Sequence, residues 1–208
     1  FWGSFASLIL VLFQGWLGGQ VVRSGLHTGM ITLHMIVAII LLSLLIYTTF
    51  RATADLTRPT LSARAVRLLF FTSLALYVIT VVQVLLGSQV REAIEMVSRE
   101  TPSLARGEWL SKTGVIFLIH RSFSWLVLAA SVLLIWWKFR LKISGLVGHL
   151  TWLNAAFVIA QIIFGVIMDD HAIPPFSQVL HLGISSVMVC AQFFLILLVR
   201  SATTKLSN

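Results

Sequence analysis

Three histidines occupy equivalent places in long apolar stretches of this sequence: His34, His120 and His181. An ionisable side chain inside a membrane-spanning stretch is rare and usually functional. Neutral imidazole is a common metal ligand, and two histidines facing each other across a helical bundle can supply both axial ligands of a haem iron. Haem ligation is therefore the chemistry that these residues favour.

Each of these histidines follows a Gln-x-x-x-Gly pattern, which begins at Gln14, Gln83 and Gln161. The separation between glutamine and histidine is 20 residues in the first and third cases and 37 in the second. A small residue lies one helical turn after each histidine, at Ala38, Ser124 and Ser185. This spacing predicts three copies of one helical hairpin, each with a histidine at similar depth. We interpret the glutamines and glycines themselves as hydrogen-bonding or small packing residues of helix interfaces.

Other metal sites fit the sequence less well than haem. A structural zinc site needs four ligands of the Cys/His type, and the chain has one cysteine, Cys190. A di-iron site needs several buried glutamates, and a proton relay needs Asp or Glu within the membrane. The apolar stretches contain neither, whereas a haem needs only one or two protein ligands for its iron.

The elements that carry the histidines are predicted to be transmembrane helices. The chain of 208 residues is 58% hydrophobic and only 11% charged, which excludes a water-soluble globule and a disordered chain. The sequence predicts an all-α integral membrane protein with six transmembrane helices arranged as three repeated hairpins. The predicted spans are Trp2–Val22, Met30–Phe50, Leu68–Val90, Val115–Trp137, Leu150–Met168 and Phe176–Val199.

The charge pattern predicts the orientation of these spans. Basic residues concentrate between Arg51 and Arg67, after Trp137 and in the C-terminal tail, while most acids lie in the other loops. By the positive-inside rule, both termini are cytoplasmic and the histidines lie toward the outer face. We therefore attribute the net charge of +8 to topology and expect no nucleic-acid partner.

Three arginines are candidates for binding haem propionates. Arg121 directly follows His120, and its planar guanidinium suits a carboxylate. Snorkelling or a partner among the outer acids is the alternative for Arg121. Arg23 and Arg91 lie at outer helix ends and are weaker candidates. We expect the long outer loop, Glu92–Lys112, to form a short helix or to cover the outer site.

The motifs together resemble those of haem A synthases. The matching stretches are QGWLGGQVVRSGLHTGMITLHMIVA, VQVLLGSQVRE with FLIHRSFSW, and AQIIFG with VLHLGIS. The resemblance covers essentially all six spans. Members of that family are similar eight-helix proteins built from two four-helix halves.

This resemblance implies a role for each histidine. Residues 67–208 would form a complete C-terminal four-helix bundle that holds haem b between His120 and His181. Residues 1–66 would be one hairpin of an N-terminal bundle that is incomplete in this chain. There, His34 would be the catalytic-site ligand of the substrate haem O, whose ring methyl is oxidised to the formyl group of haem A for cytochrome c oxidase.

The resemblance also implies a setting. We expect a multi-pass protein of the bacterial inner (plasma) membrane, with the lipid bilayer, haem O synthase and cytochrome oxidase assembly components as partners. The electron donor is not indicated, and a homo-oligomer is compatible with the sequence.

Two other functions remain open at the level of the sequence. The first is a membrane b-type cytochrome that only transfers electrons through His120 and His181. The second is a haem-free transporter or scaffold in which the histidines join helices; Asn154 and Gln192 are the polar span residues that favour it slightly.

Overall fold

The computed structural model describes residues 2–25 and 29–204, without the side chains of residues 54–57 and 204. Within these ranges the chain is almost entirely helical. The helices are α1 (Trp2–Arg23), α2 (Met30–Thr57), α3 (Ala63–Glu100), α4 (Trp109–Lys112), α5 (Val115–Arg140), α6 (Gly145–Asp170) and α7 (Pro175–Arg200). A 3-10 turn (Arg106–Glu108) precedes α4, and two short strands, β1 (Thr60–Leu61) and β2 (Thr203–Thr204), pair in parallel.

The six predicted spans are confirmed as helices, since α1, α2, α3, α5, α6 and α7 are each long and apolar enough to cross a bilayer. The third helix differs from its predicted limits. With 38 residues, α3 is about 57 Å long and extends beyond both ends of the span Leu68–Val90. The prediction of a loop from Glu92 is therefore wrong for residues Glu92 to Glu100, because α3 continues to Glu100.

Four helices pack as a closed ring. Helix α3 contacts α5 and α7, and α6 contacts the same two helices from the other side. Helices α5 and α7 therefore lie diagonally across the ring. The N-terminal hairpin joins this ring through α2, which packs on α7 and α3, while α1 packs mainly on α2. We call the end of the ring with Ala63 and Arg140 the inner end, and the opposite end the outer end.

The apolar core of the ring is divided into two clusters. The larger cluster fills the inner half and includes Leu76, Leu134 and Leu198. A smaller cluster closes the outer end and consists of Val90, Ile94, Leu110 and Ile173 with their neighbours. On α3 the larger cluster reaches Ile79 and the smaller one begins at Val90, and on α5 neither includes a residue between Phe117 and Val127. The apolar core is therefore interrupted at the level of the repeat histidines.

The segment between α3 and α5 covers the outer end of the ring, as expected for a short helix or cover. The Arg106 guanidinium donates a hydrogen bond to the carbonyl of Ile173 at 3.0 Å and lies over the Trp109 ring at 5.5 Å from its centroid. Gln178 donates to the same carbonyl at 3.0 Å. These contacts fix the cover to the turn between α6 and α7.

A buried carboxylate joins the N-terminal hairpin to the ring. Glu92 on α3 is 5% exposed and accepts hydrogen bonds from the backbone N–H groups of Gly29 and Thr32, each at 3.2 Å, and from the Thr32 hydroxyl at 3.0 Å. Ser88 and Gln89 also bond to that hydroxyl. Glu92 thus satisfies the free amides at the start of α2, where negative charge is favoured. From the sequence alone, Glu92 is one of several acids in the outer loops and has no assigned contact.

We predict that Glu92→Gln weakens the attachment of α2 by about 2 kcal/mol, because one buried acceptor is lost and an amide donor faces the N–H groups. Glu95→Gln is the matched control, since Glu95 pairs with exposed Arg91 and Arg99 on the same helix and such pairs contribute about 0.5 kcal/mol. Thermal unfolding in nanodiscs, followed by tryptophan fluorescence, measures the difference. Equal effects of the two substitutions would contradict the role of Glu92 in holding the N-terminal hairpin to the ring.

Candidate functional site

The same hydrogen bond occurs in all three hairpins. The side-chain amide of each repeat glutamine donates to the backbone carbonyl of the histidine on the next repeat helix. The bonds are Gln14 to His34 at 3.0 Å, Gln83 to His120 at 3.0 Å and Gln161 to His181 at 2.7 Å. The glutamines therefore act directly on the histidines, which is more specific than the interface packing we predicted.

The small residue one turn after each histidine keeps this carbonyl accessible. Helical side chains lean toward the N-terminus, so the side chain four positions on lies next to the carbonyl that the glutamine reaches. Those side chains belong to Ala38, Ser124 and Ser185. A larger side chain would compete with the glutamine amide for this space.

The repeat glycine makes room for the imidazole ring. A Cβ atom built on Gly87 would lie 3.1 Å from Cε1 of His120, and one on Gly18 would lie 3.3 Å from Cε1 of His34. The corresponding distance from Gly165 to Cε1 of His181 is 4.0 Å, which is an ordinary contact. Glutamine and glycine thus hold the histidine from the opposite helix, by its carbonyl and by its ring.

The two nitrogens of each ring differ in their surroundings. Nδ1 of His34, His120 and His181 is buried without a hydrogen-bond partner. Nε2 of His120 and His181 is not among these buried, unpaired atoms. In the N-terminal hairpin, Nε2 of His34 lies 3.2 Å from the Gln14 amide nitrogen.

His120 and His181 stand at one level on diagonal helices. Each comes between one and two turns after the first residue of its helix, Val115 in α5 and Pro175 in α7, and both helices start at the outer end. At this level α5 and α6 contribute no fully buried side chain. The buried residues of α5 begin at Val127 and those of α6 end at Val158, so both sets lie nearer the inner end.

The predicted propionate ligands lie at the outer end. Arg121 forms an ion pair with Asp169 at 3.1 Å, and 65% of its side chain is exposed. In this structure its partner is therefore one of the outer acids, which was the alternative to a propionate. Arg91 lies 3.7 Å from Glu95, and Arg23 is exposed in the last turn of α1. Contact of these arginines with a propionate stays a prediction.

The remaining histidines lie away from this arrangement or outside the described residues. His149 and His171 are exposed at helix ends, and His27 lies outside the described ranges. Among residues 2–25 and 29–204, no group of three or more His, Cys, Asp or Glu side chains could hold a metal ion. A haem iron differs from such a site, because the porphyrin supplies four ligands and the protein one or two.

Comparison with known families agrees with this arrangement. Residues 1–193 match the COX15-CtaA family model, which is described as cytochrome oxidase assembly protein. The chain belongs to this family. The match includes all three Gln-x-x-x-Gly patterns and all three repeat histidines, and it confirms the resemblance to haem A synthases. Searches of the curated proteins and of the solved structures give no match.

We predict that alanine at the repeat glycines has graded effects. Gly87→Ala forces the His120 ring to move by a few tenths of an ångström and destabilises the bundle by about 1–2 kcal/mol, as overpacking does. Gly165→Ala is tolerated, because its Cβ meets His181 at an ordinary distance. Gly183→Ala is the control for helix propensity, since nothing lies within 4 Å of its Cβ. Thermal unfolding of the three variants tests this order, which fails if Gly87→Ala is as stable as Gly183→Ala.

Proposed function

We propose that the ring of α3, α5, α6 and α7 binds haem b with His120 and His181 as axial ligands. The observation that carries this proposal is the interruption of the apolar core at the level of these two histidines. Their helices lie diagonally across the ring, and Nε2 of each imidazole would be the nitrogen that binds the iron. Bis-histidine haem sites in helical bundles have this arrangement of ligands.

The surroundings of the two histidines fit a haem. The apolar clusters above and below them exclude water from the macrocycle. Gln83 and Gln161 fix the backbone at each ligand through their bonds to the histidine carbonyls. When bound, the haem supplies one-electron transfer, while the protein sets its orientation and surroundings. Arg121 and Arg91 would meet the propionates at the outer end, with Arg121 exchanging Asp169 for one of them.

We further propose that His34 binds haem O in a haem A synthase, where the ring methyl is oxidised to the formyl group of haem A. The support is that His34, Gln14 and Gly18 repeat the contacts around His120. In the described residues, α1 and α2 form only a hairpin beside the ring. A four-helix site around His34 therefore needs two more helices. The haem O conversion assay described below tests whether the 208 residues are active by themselves.

The setting follows from the family and the charge pattern. The chain is a multi-pass membrane protein of a family that serves cytochrome oxidase assembly. We propose a bacterial inner membrane location with cytoplasmic termini and with the histidines toward the outer face. Haem O synthase and the oxidase assembly components are the partners this function requires.

An electron-transferring b-type cytochrome is the second candidate function. The observation that favours it is that the ring around His120 and His181 is closed, whereas His34 lies in a hairpin of two helices. The two candidates make the same prediction for haem b and differ over haem O.

We predict that His120→Ala and His181→Ala each remove most of the haem b from the purified protein, because a low-spin iron loses one axial ligand. His34→Ala is the matched control, since it lies in the N-terminal hairpin and should leave haem b content unchanged. Haem per protein, measured as the pyridine complex, is the readout. Full haem retention in both ring variants would refute the assignment, and a joint loss in His34→Ala would mean that a different pair binds the iron.

We also predict that the wild-type protein converts added haem O to haem A, and that His34→Ala loses this activity while keeping haem b. Chromatography of the extracted haems after incubation with haem O, dioxygen and a reductant measures the conversion. A protein that carries haem b, and that binds added haem O through His34 without converting it, would favour the b-type cytochrome.

A further inference from the structure

A second polar layer lies inside the apolar inner half of the ring. It consists of one residue from each of the four helices, and each is at most 2% exposed. The residues are Ser73 on α3, Ser131 on α5, Asn154 on α6 and Gln192 on α7. We call this set the inner polar layer.

The four residues share one depth in the ring. Each lies between two and three helical turns, or roughly 12–15 Å, from the inner end of its own helix. Those ends are Ala63, Arg140, Gly145 and Arg200. The layer is therefore a transverse plane within the inner half of the span.

Apolar side chains seal this plane on both sides. Toward the outer end, Leu76, Val127, Val158 and Met188 are buried about one turn away, and toward the inner end the corresponding residues are Leu69, Leu134, Leu150 and Leu195. The outer set separates the inner polar layer from the histidines, so the two sites are distinct.

Several polar atoms of the layer have no hydrogen-bond partner in the protein. They are Oγ of Ser73, Oδ1 of Asn154, and both Oε1 and Nε2 of Gln192. The other amide atom of Asn154 is satisfied, since Nδ2 donates to the carbonyl of Leu150 at 2.9 Å. A buried polar atom without a partner costs about 1–3 kcal/mol, so the layer needs a ligand.

The unpaired atoms specify the kind of ligand. The amide oxygens of Asn154 and Gln192 accept hydrogen bonds, whereas Nε2 of Gln192 donates. A cation would satisfy the oxygens and leave that donor unpaired, and an anion would do the reverse. Water donates and accepts, and buried waters make about three such bonds to otherwise unpaired groups.

We propose that the inner polar layer binds a cluster of buried water molecules that connects the four helices. Each water joins groups from different helices, and this fixes their relative positions in a region where apolar packing alone has no directional preference. The layer acts independently of haem, because the apolar residues between it and the histidines keep the two sites apart.

X-ray radiolysis in ¹⁸O-labelled water tests this proposal on the full chain in nanodiscs. Hydroxyl radicals formed from bound water label adjacent side chains, so ¹⁸O should appear on Met188 and Leu195. The label on Leu195 should be several-fold above that on Leu198, a leucine of similar burial that lies further from the layer. The double variant Asn154→Leu/Gln192→Met should lose this label. Absence of label on Met188 and Leu195 in the wild type would overturn the proposal.

Thermal unfolding gives a second readout from single variants. Asn154→Leu and Gln192→Met should each lower the melting temperature, because the bound waters lose a partner. Higher melting temperatures in both variants would show a dry layer with unpaired groups and would overturn the proposal. A wild-type melting temperature that rises with sodium chloride, but not with choline chloride at equal ionic strength, would also overturn it, in favour of a cation.

Discussion

The hydrogen bond from a glutamine amide to the backbone carbonyl of a histidine is the contact on which each hairpin depends. It crosses from one helix to the next within a membrane span, where lipid offers no other hydrogen-bond partner. It also fixes the histidine by its backbone and leaves the ring to be placed by the facing glycine. Because the bond recurs at 3.0, 3.0 and 2.7 Å, the three histidines share one setting although their loops differ in length.

Repetition of this contact explains why the apolar core is divided. A plane of glutamine, glycine and histidine cannot be filled by leucine and valine, so the apolar clusters lie on either side of it. Diagonal placement of α5 and α7 then brings two histidines to this plane from opposite corners of the ring. The N-terminal hairpin has the same plane with one histidine, and Glu92 holds that hairpin to the ring by capping α2.

The sequence predicts the repeats and spans well because both depend on local composition and spacing. The Gln-x-x-x-Gly patterns and the histidine intervals need no knowledge of packing. Glu92 could not be recognised in this way, because a carboxylate near the end of a span looks solvated until α2 is known to start beside it. The partner of Arg121 likewise depends on how α5 and α6 pack, since Asp169 is 48 residues away. The close contact of Gly87 with the His120 ring depends on the exact approach of α3 to α5.

The central claim is that His120 and His181 both bind one haem iron. Low-temperature electron paramagnetic resonance of the oxidised, purified protein measures the ligand field of that iron most directly. We predict a low-spin ferric signal of the bis-histidine type. A high-spin ferric signal, or a protein that stays free of haem after haem is supplied, would contradict it.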